Sequence, residues 1–169
     1  EVISQLQEEF SYKNKHEIPK VIKIKINRGL GVAAQNNKVL QKTVDEIRAI
    51  SGQQPIVTIA KKSIAGFKVR EEMPLGVTVT LRREKMYSFL ERLINLTLPR
   101  IRDFQGLDPK KIDKHGNYTF GVTDQLIFPD IEYDQVDQTL GFNISIVTTA
   151  KTPNEGLMLL TKLGLPFKK

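Results

Sequence analysis

Between Ile18 and Val44 the chain carries no acidic residue, and within that stretch Lys23, Lys25 and Asn27 recur at every second position, followed by Arg28, Gly29 and Gly31. Such alternation marks a strand with one face in water. Side chains two apart on a strand stand roughly 6 to 7 Å apart, so the row can meet successive phosphates and sugar hydroxyls of a nucleic-acid backbone. The cations would supply charge and the amide hydrogen bonds. A later run, Gly76 to Arg82, adds Thr78, Thr80 and Arg82 opposite Val77, Val79 and Leu81. No aromatic stands among these polar positions, unlike the platforms on which single-stranded bases stack. The chemistry on offer is recognition of folded RNA by shape and backbone. The plain alternative is a solvated sheet face whose lysines block edge aggregation.

Two further segments could do chemistry. Residues 61–76 form a connection too long for a hairpin turn. They hold Lys61, Lys62, Ser63, Lys68 and Arg70, with Phe67 and Met73 available for stacking. Connections of that length without their own structure tend to be functional or disordered. The opposite sign appears in residues 116–150, which lack Lys and Arg but hold Asp124, Asp130, Glu132, Asp134 and Asp137. Asp130, Glu132 and Asp134 are too sparse, and too poor in turn glycine, for a calcium loop. A patch that repels RNA or meets a basic protein fits better.

Enzymatic alternatives are weak. Gly29-Leu30-Gly31-Val32-Ala33-Ala34 fits the dinucleotide-binding pattern G-x-G-x-x-A and lies between a strand and a helix. A nucleotide-binding strand of that kind is buried on both faces, whereas this one has Lys at alternate positions. The acid expected at the end of the second strand is also missing, since Ile59-Ala60 runs into Lys61-Lys62. A nucleotide-dependent enzyme on the Gly29-x-Gly31 turn is therefore the lesser reading. Neither a P-loop nor G-x-S-x-G occurs, and His115 reads as a surface residue. With no Cys and only His16 and His115 as imidazoles, thiolate and iron–sulfur chemistry is excluded and a metal site is not expected. No cofactor is expected.

Composition agrees with a polyanion-binding globule. The 169 residues include 26 Lys and Arg against 19 Asp and Glu. Residues 1–83 hold 15 of the basic and 8 of the acidic residues, and residues 84–169 hold 11 of each, so the whole surplus sits in the first half. No apolar run approaches the roughly 18 residues of a membrane span, so no membrane association is expected. The acidic opening, Glu1 to Phe10, does not read as a signal or transit peptide, and the absence of an initial Met suggests processing or a partial sequence.

The positioning elements follow from periodicity. Lys20 to Asn27 predicts a strand with Ile22, Ile24 and Ile26 on its apolar face. Pro55 to Ala60, Gly76 to Arg82, Tyr118 to Val122 and Phe142 to Thr149 predict four more. In the last of these, Phe142, Ile144 and Ile146 oppose Asn143 and Ser145. Leu40, Val44, Ile47 and Ile50 mark a helix over 37–50, ended by Ser51-Gly52, and Met86, Phe89, Leu90, Leu93 and Ile94 mark one over 84–98, closed by Pro99. Thr152-Pro153-Asn154-Glu155 is a capping box opening a helix to about Gly164. The expected fold class is α+β: a single domain over 1–169, a two-layer sandwich of mostly antiparallel sheet with helices on one face and the other open to RNA.

Several runs also resemble a known family. Ile50-Ser51-Gly52-Gln53-Gln54-Pro55, Lys62-Ser63-Ile64-Ala65-Gly66-Phe67-Lys68-Val69-Arg70 and Leu98-Pro99-Arg100-Ile101-Arg102-Asp103-Phe104-Gln105-Gly106 are similar to large-subunit ribosomal protein number five, as are Gly116-Asn117-Tyr118, Phe128-Pro129, Thr148-Thr149-Ala150-Lys151 and Pro166-Phe167. The run 86–96 has the flavour of its cyanobacterial or plastid branch. The resemblance implies a non-catalytic protein of the central protuberance that binds 5S ribosomal RNA and touches large-subunit ribosomal RNA. It would act on the ribosome in a chloroplast stroma or bacterial cytoplasm. The family's 5S surface is the open sheet face, matched here by Asn27, Gln53 and Thr80. Its contact with peptidyl-site transfer RNA matches Ser63 to Pro74. Its bridge to a basic small-subunit head protein falls on Asp130 to Asp137. Arg83 stands where Gly is common in the family, and Asp137-Gln138-Thr139-Leu140 lacks the usual Arg before Gly141.

Overall fold

β-branched residues at alternate positions drive the central strand, Val21–Gly29 (β1), in the computed structural model of the chain, which describes residues 1–169. Ile24 and Ile26 are buried while Lys25 stays in water. The start of the strand differs from expectation. A register irregularity between Val21 and Lys23 puts Val21 into the core and leaves Ile22 exposed, because a bulge shifts the inward set by one residue.

Four more strands complete one sheet: Ile56–Ile59 (β2), Pro74–Leu81 (β3), Tyr118–Val122 (β4) and Phe142–Thr148 (β5). Their order is β2-β3-β1-β5-β4, and every neighbouring pair is antiparallel. A dinucleotide site needs parallel strands joined by a crossover helix, which this sheet lacks. Gly31, at φ 55°, opens a 3-10 segment, Gly31–Gln35, and not an α-helix.

Helices cover one side. Asn37–Ser51 (α2) is capped by the Asn36 side chain, which accepts from the Lys38 amide at 3.1 Å, and ends at Gly52 in the left-handed conformation. Its buried stripe is Val44, Ile47 and Ile50. Arg83–Arg92 (α3) runs on through a π turn, Leu93–Thr97, and a 3-10 turn, Leu98–Arg100. Pro99 therefore lies inside the last turn, and the backbone becomes extended only at Ile101. Arg83 itself holds φ 54°, a conformation costly for any side chain but Gly. Pro153–Lys162 (α4) opens as expected, with Thr152 accepting from the Glu155 amide at 3.3 Å. The Glu155 carboxylate accepts from the Lys151 amide, one residue earlier than a capping box requires. Val2–Phe10 (α1), which the sequence reading did not foresee, buries Leu6 and packs on α4. The core is one cluster of 29 buried residues, among them Ile24, Ile47, Phe89, Tyr118, Ile144 and Leu160.

Residues 60–73 also differ from a structureless loop. The Ala60 amide donates to the Met73 carbonyl at 2.8 Å, and Ile64 and Val69 exchange both backbone bonds at 2.8 and 3.1 Å. A 3-10 turn, Ala65–Phe67, and Lys68 at φ 54° close the tip. The segment is a tongue that prolongs the β2–β3 hairpin.

Candidate nucleic-acid interface

Strand register assembles the open face. Lys25 stands opposite Thr80 on β3 and Ser145 on β5, and Asn27 opposite Thr78 and Asn143. Thr119 extends the first row and Gly121 the second onto β4. Gly29 faces Gly76, where a Cβ would lie 2.5 Å from the Arg28 carbonyl oxygen, so this end of the face is bare backbone. With strands roughly 4.8 Å apart, the rows form a low polar surface five strands wide that a sugar–phosphate backbone can approach closely. Ile56 and Ile59 on β2, 69% and 58% exposed, are large apolar side chains at its rim.

Charge on this face is unpaired. The ion pairs, Arg28 with Glu46, Lys42 with Asp137 and Arg92 with Asp130, do not include Lys23, Lys25 or Arg82. Lys25 and Arg82 are exposed and Lys23 is half-buried. Two of the neutral residues spend a group internally. The Thr78 hydroxyl donates to the Ile26 carbonyl at 3.1 Å, and the Gln53 amide nitrogen donates to the Thr80 carbonyl at 3.1 Å, beyond the point where β2 pairs with β3.

Arg28 is the clear correction. It shares the parity of Ile24 and Ile26, and its relative exposure is 1%. Its guanidinium donates to Glu46 on α2 at 2.5 Å and to the Leu140 carbonyl at 3.0 Å, and lies 5.4 Å from the centre of the Phe142 ring. These partners compensate the buried charge and withdraw it from the open face.

The tongue displays Lys61, Lys62, Ser63, Lys68 and Arg70 in solvent, with Phe67 72% exposed at the tip. The Ser63 hydroxyl accepts from the Glu71 amide at 2.8 Å. Met73 is half-buried and its sulfur accepts from the Arg70 amide at 3.0 Å, so it is not free to stack as expected.

Residues 130–137 of the acidic segment lie across the helix layer, away from Lys23 and Lys25. Asp130 meets Arg92 on α3 at 3.0 Å and Asp137 meets Lys42 on α2. Glu132 accepts from the Gln135 side chain at 3.1 Å, and Asp134 is exposed. Buried Gln125, which sequence reasoning passed over, donates to the Gln138 carbonyl at 2.9 Å and accepts from the Leu140 amide at 2.8 Å. Asn143, Ser145, Thr119 and Gly121 were also missed as members of the open face. Alternation placed Asn143 and Ser145 outward, but only the register sets them beside Asn27 and Lys25.

Comparison with known proteins gives one consistent result. The family description "Ribosomal protein L5" matches residues 14–70, and the description of the same ribosomal family's C-terminus matches residues 74–167. The "Large ribosomal subunit protein uL5c" of Heterosigma akashiwo is 65% identical over 169 residues, covering 100% of this chain and 93% of that protein. That of Porphyra purpurea is 62% identical, covering 99% and 93%. The "Large ribosomal subunit protein uL5" of Acaryochloris marina is 59% identical, covering 99% and 92%.

Proposed function

The chain belongs to the ribosomal protein L5 family, non-catalytic structural constituents of the large ribosomal subunit, and from that premise we propose that its open sheet face binds 5S ribosomal RNA in the central protuberance. One observation carries the reading: Lys23, Lys25 and Arg82 stand without acidic partners on a face of small polar residues and bare backbone. Cations there are free for phosphates, and Asn27 and Asn143 sit side by side as donors and acceptors for sugar and base edges. Membership of this family leaves the nucleotide-dependent enzyme without support. The tongue, with Lys61, Lys62, Lys68, Arg70 and Phe67, is the contact for peptidyl-site transfer RNA and large-subunit ribosomal RNA. The acidic segment faces a basic protein of the small-subunit head. Relatives bearing the plastid-type name, together with that of Acaryochloris marina, support a ribosome of the chloroplast or cyanobacterial kind.

A gel-shift titration with 5S ribosomal RNA, against an RNA duplex of similar size, tests the reading. The 5S RNA should bind more tightly, and Asn27→Ala should weaken that binding by about 1 to 3 kcal/mol without lowering the melting temperature. Equal affinity for both RNAs, or an Asn27→Ala variant that binds normally, would remove the sheet face from the 5S site.

A further inference from the structure

We propose that the RNA-binding surface does not stop at the edge of the sheet but continues around β4 into a cleft held by Arg100 and Arg102, which takes backbone phosphates of the same RNA. This rests on the open face binding 5S ribosomal RNA. Arg100 and Arg102, both exposed and on either side of Ile101, line one cleft of about 410 Å³ together with Gly121, Thr123 and Asp124 and the apolar Ile101, Val122, Leu126 and Ile127. Neither arginine has an acidic partner within ion-pair distance. Asp124 is the acid in the lining, and it accepts from the Leu126 amide at 2.9 Å, capping the turn that follows β4. Two guanidinium forks against one committed carboxylate leave the cleft with a net positive charge suited to bidentate phosphate contacts.

Continuity singles out the occupant. Gly121, Val122 and Thr123, at the outer end of β4, also line a shallow depression on the open face with Asn27, Asn143 and Lys111. The cleft and the depression therefore adjoin across β4, and a strand of RNA can pass from one to the other over the strand edge. Gly121 carries no side chain to obstruct it; a Cβ there would lie 3.3 Å from the Asn143 side-chain oxygen. A strand leaving the Asn27–Asn143 row meets Lys111 and then the two arginines. An acidic protein segment pairing with the edge of β4 beyond its bridge between Ile112 and Tyr118 is the competing occupant.

The test is filter binding of the full chain to 5S ribosomal RNA over a series of salt concentrations. The double variant Arg100→Gln with Arg102→Gln should flatten the log–log salt slope by roughly one to two units and weaken binding about tenfold at 0.1 M salt. Arg100→Lys with Arg102→Lys should restore the slope but only part of the affinity, because the charge returns without the fork. Melting temperatures show whether either variant is misfolded. Because the chain has no cysteine, Thr123→Cys bearing an iron chelate gives a readout that needs no arginine variant. It should cut the 5S RNA within a short, discrete stretch. If the wild type binds 5S RNA and the double Gln variant keeps both slope and affinity, or the tethered chelate cuts nothing, the cleft is not part of the site. If the wild type shows no preference for 5S RNA, the proposed function and this extension fall together.

Discussion

Asn27 and Arg28 are adjacent in sequence and serve opposite sides of β1. The amide faces the open rows, while the guanidinium crosses the core side to reach α2 and the chain at Leu140. Removing one partner of a buried pair leaves the other uncompensated, at a cost of about 3 to 5 kcal/mol. Glu46 is partly hydrated, with 14% of its side chain exposed, so Arg28→Met should fall near the lower end. Glu46→Leu in the same molecule should recover much of the loss, since no unpaired charge then remains inside. Urea denaturation of the single and double variants measures the coupling, and strictly additive losses would show that the pair contributes nothing as a pair. Parity with Ile24 and Ile26 was present in the sequence as a sign that Arg28 turns inward. Its compensating partners were not, because they come from 18 and 112 residues away. Position 83 shows the reverse case: Arg83 adopts the left-handed backbone in which Gly is least strained, the residue that the resemblance led one to expect there.

At the scale of elements, strands and helices with a full apolar stripe were legible, since their periodicity is set by burial on a single face. Three features were not. α1 holds only nine residues and owes its place to docking on α4. The π turn after α3 and the 3-10 turn that follows it carry the helical backbone through Pro99 to Arg100, past the point where Pro99 was expected to close it. The tongue has no long alternating run, because a single isolated bridge, Ile64 with Val69, stands between the Ala60 bonds at its base and a four-residue tip. That architecture dictates how it should be cut. Deletion as far as Met73 would remove the bonds between Ala60 and residues 72 and 73 that extend the sheet. Replacing Ala65–Lys68 with Asn-Gly takes away Phe67 and Lys68 yet leaves the bridge to close on a two-residue turn. Affinity for 5S RNA should change by less than about twofold, while ribosomes assembled with the shortened protein should retain peptidyl-site transfer RNA less well in filter assays. Loss of 5S affinity on the scale of Asn27→Ala would place the tip in the 5S site instead.

Across the whole molecule, charge is also sorted by face. The sequence halves, with seven surplus positive charges in the first and none in the second, pointed to a basic first half. The fold instead puts Lys23, Lys25 and Arg82 on the open side, with Arg100, Arg102 and Lys111 beyond β4, and lays the acidic segment over α2 and α3. Arg28, Lys42 and Arg92 hold that segment in place, so Asp130 and Asp137 are partly committed within the protein. Glu132 and Asp134 have no cation beside them and are the carboxylates free to meet a basic protein of the small subunit. Reversing both to Lys should leave 5S RNA binding unaltered, since they lie on the far side from the lysine rows. Subunit joining followed by light scattering should weaken modestly, because exposed pairs are worth about 0.2 to 1 kcal/mol each. The deficit should shrink as salt rises, given a screening length of roughly 10 Å at 0.1 M. Reversal of Asp137 would be a poorer probe, because it also sets a new cation against Lys42 and loosens the segment itself. If Glu132→Lys with Asp134→Lys leaves joining unchanged at every salt concentration, the acidic face serves to keep RNA off the helix layer and not to bridge the subunits.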